Sequence, residues 1–367
     1  MRSIAIPDFY RTWQGQFIQW LPDDSDSRMT NLIWLMYGIL KASSVQLNLA
    51  ARHVPVRAKK LSIVKRLARF LDNGAVRVRQ WYRPVAKQLL QAASSDGTLR
   101  LVLDASKVAF GYQLLMIAVC YQGRSQPIAW TWLPYARGHS RTNVQRALLV
   151  YVRGLLPNCA LNVLLVGDSE FGRPLLIAYL KGWGWQYALR QPPDHLMLTR
   201  TSRHWQRLDR ISVQEGEWIF FEHILLTQSG ACPTHLLVFW AKGEKQPWYI
   251  ATNLPTALAT IRAYRRRMWV EEMFGDMKGH GFDLETSHLR SFLRLSRLTL
   301  AVAFLYVWLS AVGEHLFQTD QTHLVDRHDR RDLSIFRLGL DIILRCMTLN
   351  DPFPPVFFSN FCSVSGG

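Results

Sequence analysis

The spacing of apolar residues divides the chain into two helical regions with a strand-rich region between them. Residues 1–95 have helical spacing, clearest over 32–40 and over 62–71, where Ser62 suits a helix N-cap. From Leu99 the apolar runs become short, as in strands, and helical spacing returns after Pro255. The apolar run 298–313 is too short and too closely flanked by charge for a membrane span, so it predicts a buried helix.

The middle of the chain predicts a mixed α/β domain with an insertion. The predicted strands cover 99–104, 114–121, 127–133, 161–166 and 185–189. One predicted helix covers 143–156, and a second begins near Pro174. Three strands, helix, strand, helix, strand and a later helix form the element order of a ribonuclease H-like α/β domain. Strand patterns at 213–226, 235–240 and 248–252 predict a β-rich insertion before that last helix.

The charge balance indicates a polyanionic partner. The chain has 44 Lys plus Arg and 27 Asp plus Glu, so its net charge is 44 − 27 = +17. Such a charge favours DNA or RNA, although an anionic membrane or a solvated basic surface would also account for it. Residues 1–95 contribute 15 − 5 = +10 of the excess. The predicted DNA-binding residues in this region are Lys59, Lys60, Lys65, Arg66 and Arg69.

The cysteines indicate neither a zinc site nor a disulfide framework. Cys120, Cys159, Cys232, Cys346 and Cys362 are scattered, without a Cys-x-x-Cys pair or histidines at zinc-ligand spacing. The first residues lack the apolar core of a secretory signal. We therefore expect a reducing, cytoplasmic location.

One predicted helix, from Tyr264 to Lys278, concentrates polar side chains on a single face. On a continuous helix, four of its residues would project within about 60° of each other. These residues are Tyr264, Arg267, Glu271 and Lys278. The opposite face is apolar, and the neighbouring acids Glu272 and Asp276 fall outside the polar cluster. A carboxylate held among cationic groups suits metal and phosphate chemistry, whereas the ordinary alternative is the solvated face of an amphipathic helix.

Two further carboxylates, Asp104 and Asp168, each stand at the end of a predicted strand. Catalytic groups of α/β sheets collect at the carboxyl ends of strands, so these carboxylates converge if the strands are neighbours, and Glu271 can join them. Three carboxylates suit Mg²⁺, and two such ions about 3.5–4 Å apart would clamp the attacking and leaving oxygens of a phosphodiester. The alternative is that each Asp caps a turn or a helix.

Two other catalytic motifs are poorly matched. The segment 167–171 approaches the Gly-x-Ser-x-Gly elbow around Ser169, but Phe171 stands where the tight turn needs glycine. The chain has no Gly-x-x-x-x-Gly-Lys loop, so an ATP-driven engine is not indicated.

With these residues identified, the chain resembles the DDE transposases of the bacterial insertion-sequence-four group, from about Ile33 to Leu340. The match rests on the YREK signature of that group, which is present as Tyr264, Arg267, Glu271 and Lys278. Two positions depart from the family: Ser106 stands where Thr is commoner, and Trp269 lies one place later than the usual tryptophan.

The resemblance assigns roles to site residues. The implied catalytic triad, which would also bind two Mg²⁺ ions with Mn²⁺ as a substitute, is Asp104, Asp168 and Glu271. Tyr264, Arg267 and Lys278 would bind DNA phosphates near the cut. In relatives that cut through a hairpin, a tryptophan of the insertion stacks on a flipped base. Trp248 is the predicted residue and Trp240 the reserve, while the alternative for Trp248 is a core strand residue.

The resemblance also implies a reaction and its partners. The enzyme would bind double-stranded DNA at terminal inverted repeats, cleave the element ends through a hairpin, and join the 3′-hydroxyls to target DNA. A homodimer would pair the two ends. Two alternatives are a metal-dependent nuclease or resolvase of the same fold and an inactive DNA-binding remnant.

The resulting domain prediction covers the whole chain. A helical DNA-binding domain spans residues 1–95, and the ribonuclease H-like catalytic core spans 96–191 and 254–290. The β-rich insertion spans 192–253. A C-terminal helical region spans 291–350, and an irregular tail spans 351–367.

Overall fold

The first part of the protein is helical, as its apolar spacing predicts. The structure is a computed structural model. It describes residues 8–356, except for 109–110, 136–139, 160–161, 328–329, 331 and 355. The N-terminal helices are α1 (Asp8–Trp20), α2 (Asp26–Ala42), α3 (Leu47–Ala50), α4 (Lys60–Asp72) and α5 (Val78–Ala93).

The middle of the chain forms one mixed sheet with helices packed against it. Its first strands are β1 (Thr98–Val108), β2 (Tyr112–Tyr121), β3 (Arg124–Leu133), β4 (Asn162–Gly167) and β5 (Gln186–Arg190). Helix α6 (Thr142–Arg153) precedes β4, and α7 (Pro174–Gly182) connects β4 to β5. The pairs β1–β4 and β4–β5 are parallel, whereas β2 and β3 are antiparallel to their neighbours. The carboxyl ends of β1, β4 and β5 therefore lie at one edge of the sheet.

The β-rich insertion extends this same sheet. Its strands are β6 (Leu196–Leu198), β7 (Gln206–Arg207), β8 (Trp218–Leu226), β9 (Cys232–Phe239) and β10 (Trp248–Thr252). Strand β10 pairs antiparallel with β5, so the described residues form a ten-stranded sheet in the order β3-β2-β1-β4-β5-β10-β9-β8-β6-β7. The segment expected as an insertion is thus hydrogen-bonded directly to β5, which lies next to β4, the strand that ends before Asp168.

Among the described residues, four α-helices follow the sheet, and the longest is buried. They are α8 (Ala257–Arg265), α9 (Met268–Met277), α10 (Phe292–Gln318) and α11 (Ile335–Leu349). Helix α10 is long and apolar enough to cross a membrane, but 94% of its most apolar window is buried inside the protein. The structure therefore supports the buried helix predicted from the run 298–313. At the crossing of α10 and α11, Gly313 and Gly339 each lie against the other helix's backbone, where a Cβ atom would clash.

The N-terminal helices share a hydrophobic core with α10. Trp13 and Trp308 meet edge to face with 5.6 Å between ring centroids. The buried guanidinium of Arg297 donates to the carbonyl oxygens of Leu71 at 2.8 Å and Val76 at 3.1 Å. A second, smaller core lies between α8 and the strands β4, β5, β9 and β10. The first and last thirds of the chain thus support the sheet together.

Candidate active site

Two of the predicted carboxylates are brought together by strand register. Leu103 on β1 pairs with Gly167 on β4 in the parallel ladder, so the next residues, Asp104 and Asp168, lie side by side at the carboxyl edge. Successive side chains of a strand alternate between the two faces of the sheet, and paired residues share a face. The carboxylates of Asp104 and Asp168 are therefore expected on the same face. Their convergence, which the sequence left conditional on strand neighbours, is confirmed by this register.

Glu271 reaches the same place, but not on the continuous helix that the sequence predicted. Helix α8 ends at Arg265 and α9 begins at Met268, so the prediction of one continuous helix from Tyr264 to Lys278 is wrong. Tyr264 lies on α8, whereas Glu271 lies in the first turn of α9. The two helices have different packing partners: α8 covers the smaller core, while α9 packs against β3 and β1.

Arg267 joins the carboxylates. Its Nη2 donates to Glu271 Oε1 at 2.6 Å, and its Nη1 lies 3.6 Å from Asp104 Oδ2. Burial alone would lower the pKa of Arg267, but Tyr264, Asp104, Asp168 and Glu271 together raise it above its usual value. The guanidinium is 11% exposed and remains a cation among acids. Arg267, which was predicted to bind DNA phosphate, thus contacts two of the predicted catalytic carboxylates, Asp104 and Glu271.

The carboxyl group of Asp104 is strongly perturbed. Its pKa is raised to about 7: burial is the main cause, Asp168 and Glu271 also raise the pKa, and Arg267 and the hydrogen bond from Ala105 N, at 2.8 Å, lower it. A buried acid poised near neutral pH is typical of a functional site. The shift also shows that the three acids lie close enough to influence each other.

Tyr264 and Lys278, the other residues of the YREK pattern, are held by the protein. Tyr264 is 3% exposed, and its hydroxyl, beside the Arg190 guanidinium, has no partner at hydrogen-bond geometry among the described residues. Lys278 follows the last residue of α9, donates to the carbonyl oxygen of Lys107 at 2.6 Å and pairs with Glu285 at 3.1 Å. As placed here, Lys278 fastens α9 to the end of β1 and does not contact the acids.

The tryptophan predicted to stack on a base lies in the core. Trp248 is 8% exposed on β10 and packs edge to face against Phe239, at 5.6 Å between centroids, and Tyr264, at 5.3 Å. The alternative, a core strand residue, describes its position here, and stacking of a base on Trp248 stays a prediction. The reserve, Trp240, is half-buried and donates its indole N–H to the carbonyl oxygen of Glu244.

The predicted basic residues of the N-terminal region lie at and along α4. Lys59, Lys60, Lys65 and Arg69 are exposed there. Arg66 differs, because its Nε donates to Asn31 Oδ1 at 2.5 Å and ties α4 to α2. The structure thus presents four of the five cations to solvent, and their contact with DNA stays a prediction.

Sequence reasoning missed two arginines that shape the site. Arg190, at the end of β5, places Nη1 3.9 Å from Asp168 Oδ1. Arg124, at the start of β3, forms a buried ion pair with Asp276 of α9 at 3.0 Å. Arg190 follows an apolar strand run, and this pattern could have identified it from the sequence. The Arg124–Asp276 contact joins residues 152 positions apart, so no local pattern could predict it.

The carboxylates suit a divalent cation in their chemistry. As the chain stands, no three His, Cys, Asp or Glu side chains among the described residues are gathered closely enough to hold a metal ion. Yet all three acids offer oxygen ligands, Asp168 Oδ1 is buried without a hydrogen-bond partner, and a guanidinium already stands between Asp104 and Glu271 as a cation. The residues present therefore fit a hard cation that would draw them together.

The comparison with known proteins agrees with this geometry. The chain matches the family described as "Transposase DDE domain" over residues 105–308, more than half of its 367 residues. The matched range contains Asp168 and Glu271 and begins one residue after Asp104. No curated protein matches the chain. The chain therefore belongs to the DDE transposase domain family, whose members act in DNA transposition and generally use divalent metal ions.

Proposed function

We propose that this protein is a cut-and-paste DNA transposase of the insertion-sequence-four group, with a ribonuclease H-like core. The observation that carries the proposal is that strand register puts Asp104 beside Asp168, and that Arg267 links Asp104 to Glu271. Strands β1 to β5, with three antiparallel-connected strands followed by two parallel ones, support the ribonuclease H-like assignment. We also propose that the protein acts in the bacterial cytoplasm, at the nucleoid.

The chain's own residues divide the work of phosphoryl transfer. Asp104, Asp168 and Glu271 would hold two Mg²⁺ ions, or Mn²⁺ in their place, and such ions polarise the attacking and leaving oxygens of a phosphodiester. Arg267 and Lys278 would bind DNA phosphates, and Tyr264 would offer its unpartnered hydroxyl as a hydrogen-bond donor. The site would cleave at the element end and join the freed 3′-hydroxyl to target DNA.

A hairpin route needs an aromatic face for the flipped base, and Trp218 meets that need better than Trp248. Trp218 is 47% exposed on β8 and pairs in register with Phe239, which pairs with Trp248 on β10. The row Trp218, Phe239, Trp248 and Tyr264 therefore runs from the surface to the candidate active site. A base stacked on Trp218 would lie at the outer end of this row.

The partners proposed are double-stranded DNA at terminal inverted repeats, target DNA and a second copy of the chain. The net charge of +17 and the exposed cations of α4 support DNA binding. The homodimer follows from the need to pair two element ends before cutting.

The decisive test compares Glu271→Gln with Glu272→Gln, the same change one residue along α9. Purified protein is incubated with labelled DNA carrying the ends that flank its gene, a target plasmid and Mg²⁺. We expect joined products from the unchanged protein and from Glu272→Gln. Glu271→Gln should lose about 4 kcal/mol of transition-state stabilisation, roughly a thousandfold in rate.

Other outcomes identify the alternatives. Nicks without joined products would indicate a metal-dependent nuclease or resolvase. DNA binding without any reaction, unaffected by Glu271→Gln, would indicate an inactive remnant and would contradict the proposed function.

A further inference from the structure

The guanidinium of Arg267 occupies the position between carboxylates that a metal ion would need. It contacts Glu271 at 2.6 Å and Asp104 at 3.6 Å, and its side chain is 11% exposed. The lone pair that accepts from the guanidinium is not available to a divalent cation, although the second oxygen of each carboxylate is. A divalent cation would also be repelled by the guanidinium at this short range. Arg267 and metal are therefore competitors.

Three buried polar atoms around Arg267 have no hydrogen-bond partner among the described residues. They are Arg267 Nε, Asp168 Oδ1 and Tyr264 Oη. Buried polar groups are normally satisfied, and a cluster of unsatisfied ones marks a network that is completed by something else. Their chemistry is mixed: Nε is a donor, Oδ1 is an acceptor and Oη can donate. Asp168 Oδ1 already faces Arg190 Nη1, but at 3.9 Å, so a directly bound metal cation there and a phosphate at Arg267 and Tyr264 would satisfy all three.

We propose that Arg267 is a coupling residue that neutralises the catalytic carboxylates while metal and DNA are absent, and moves to a DNA phosphate when a divalent cation enters. This inference rests on the proposed function, since it assumes that the three acids bind the cation. It adds a mechanism by which the two ligands assist each other. The DNA phosphate draws the guanidinium away from the acids, and the cation takes its place.

The charges explain why such an exchange is needed. Asp104 and Glu271 would repel each other without a cation between them, and burial makes an unpaired charge costly. Arg267 lies between the last residue of α8 and the first residue of α9, outside both helices. A guanidinium binds phosphate as well as carboxylate, with paired charge-assisted hydrogen bonds in both cases. The guanidinium of Arg267 therefore keeps favourable hydrogen bonds when it moves from the carboxylates to a DNA phosphate.

The test measures metal affinity directly, without any reaction. Mn²⁺ binding to the DNA-free full chain is followed by calorimetry for the unchanged protein, Arg267→Gln and Arg266→Gln. Arg266 is the matched control because it lies next to Arg267 but donates to Arg262 O at 3.0 Å on its own helix. We expect Arg267→Gln to bind Mn²⁺ about tenfold more tightly than the other two.

Arg267→Lys keeps the positive charge and shows whether charge itself competes. Its Mn²⁺ affinity should lie between those of the unchanged protein and Arg267→Gln. Circular dichroism confirms the fold of each variant. If Arg267→Gln fails to fold, an Mn²⁺ affinity of Arg267→Lys no higher than that of the unchanged protein overturns the proposal.

Coupling gives a second, reciprocal measurement. Fluorescence anisotropy follows binding of a labelled DNA duplex with and without Ca²⁺, a cation that also prefers oxygen ligands. Because linkage is reciprocal, Ca²⁺ should strengthen DNA binding more for the unchanged protein and Arg266→Gln than for Arg267→Gln. Equal strengthening in all three would show that Ca²⁺ acts only by neutralising the acids, and would overturn the exchange.

The two proposals fail in different ways. If Mn²⁺ binds, and Glu271→Gln weakens it, but Arg267→Gln binds no more tightly, the coupling is wrong and the metal site stands. If Mn²⁺ binds none of the proteins, or binds regardless of Glu271, the metal site fails and the coupling fails with it.

Discussion

Trp248 shows how the position of one aromatic residue separates packing from DNA recognition. It lies between Phe239 and Tyr264 in the smaller core, so its removal would leave a cavity beneath α8. We expect Trp248→Ala to lower the free energy of unfolding by about 3–5 kcal/mol, measured by urea denaturation. Trp218→Ala should change it by less than about 0.5 kcal/mol, because this side chain is 47% exposed.

The same pair of variants tests base stacking. If Trp218 stacks on a flipped base, Trp218→Ala should reduce hairpin formation on labelled ends while leaving the first nick intact. A folded Trp248→Ala protein that alone loses the hairpin step would contradict the assignment to Trp218.

Asp104 makes metal binding depend on pH. Its carboxyl group has a pKa of about 7 in the metal-free protein, and it must lose its proton before it can ligate a cation. We expect Mn²⁺ affinity, measured by calorimetry, to rise between about pH 6 and pH 8 and then to level off. An affinity that is constant across this range would contradict the prediction.

Folding stability has the opposite dependence on the same group. The pKa of Asp104 is raised on folding, so its contribution is fully present below the unfolded pKa of about 3.9 and is lost as pH rises through about 7. The protein thus gives up stability at the pH where the site becomes competent to bind metal.

At the scale of elements, the position of α9 depends on an ion pair remote from the acids in sequence. Arg124 of β3 contacts Asp276 at 3.0 Å, and both side chains are nearly buried. Burial raises the pKa of Asp276 to about 6, although Arg124 lowers it. Because Asp276 lies five residues after Glu271, this pair fixes the helix that carries the third carboxylate to the sheet.

Arg124→Met would leave Asp276 buried without its partner. We expect the free energy of unfolding at pH 8 to fall by about 3–5 kcal/mol. The loss should be smaller at pH 5, where the Asp276 carboxyl is protonated, because an acid whose pKa is raised on folding loses stability as pH rises. Urea denaturation at the two pH values measures both.

Arg337→Met is the control for this prediction. Arg337 lines a pocket that Arg124 and Asp276 also line, but its ion-pair partner is Asp341 on α11, and such exposed pairs contribute little. A loss that is equal for both variants, or independent of pH, would contradict the role given to the buried pair.

Helices and strands could be predicted from the sequence where a local pattern of apolar residues determines them. Apolar runs located the strands that carry Asp104 and Asp168, because a buried parallel strand is apolar on both faces. The break between Arg265 and Met268 could not be predicted, since the sequence there has helical spacing and the break follows from two different packing partners. The burial of Trp248 depends on neighbours from β9 and α8, which no local pattern reveals.

At the scale of the whole molecule, the distribution of charge governs DNA binding. The exposed cations at and along α4 would each displace counterions from DNA, so binding should weaken steeply with salt. We expect each change of Lys59, Lys60, Lys65 or Arg69 to Gln to reduce the slope of log affinity against log salt by about 0.9, measured by anisotropy.

Lys87→Gln, an equal change of charge on the exposed face of α5, is the matched control and should leave the slope unchanged. Arg66→Gln should act differently, because it breaks the contact with Asn31 that joins α4 to α2. Slopes that do not differ between the α4 variants and the control would remove α4 from the DNA interface.

The hydrogen-bond ladder that runs from β3 through β5 into β10 and beyond has a mechanical consequence. A lid can move on a flexible hinge, but strands that are hydrogen-bonded to one another in a single sheet move together. Successive cuts on different DNA strands would therefore be sorted by the DNA sliding or rotating over a stationary platform, rather than by an arm that opens and closes.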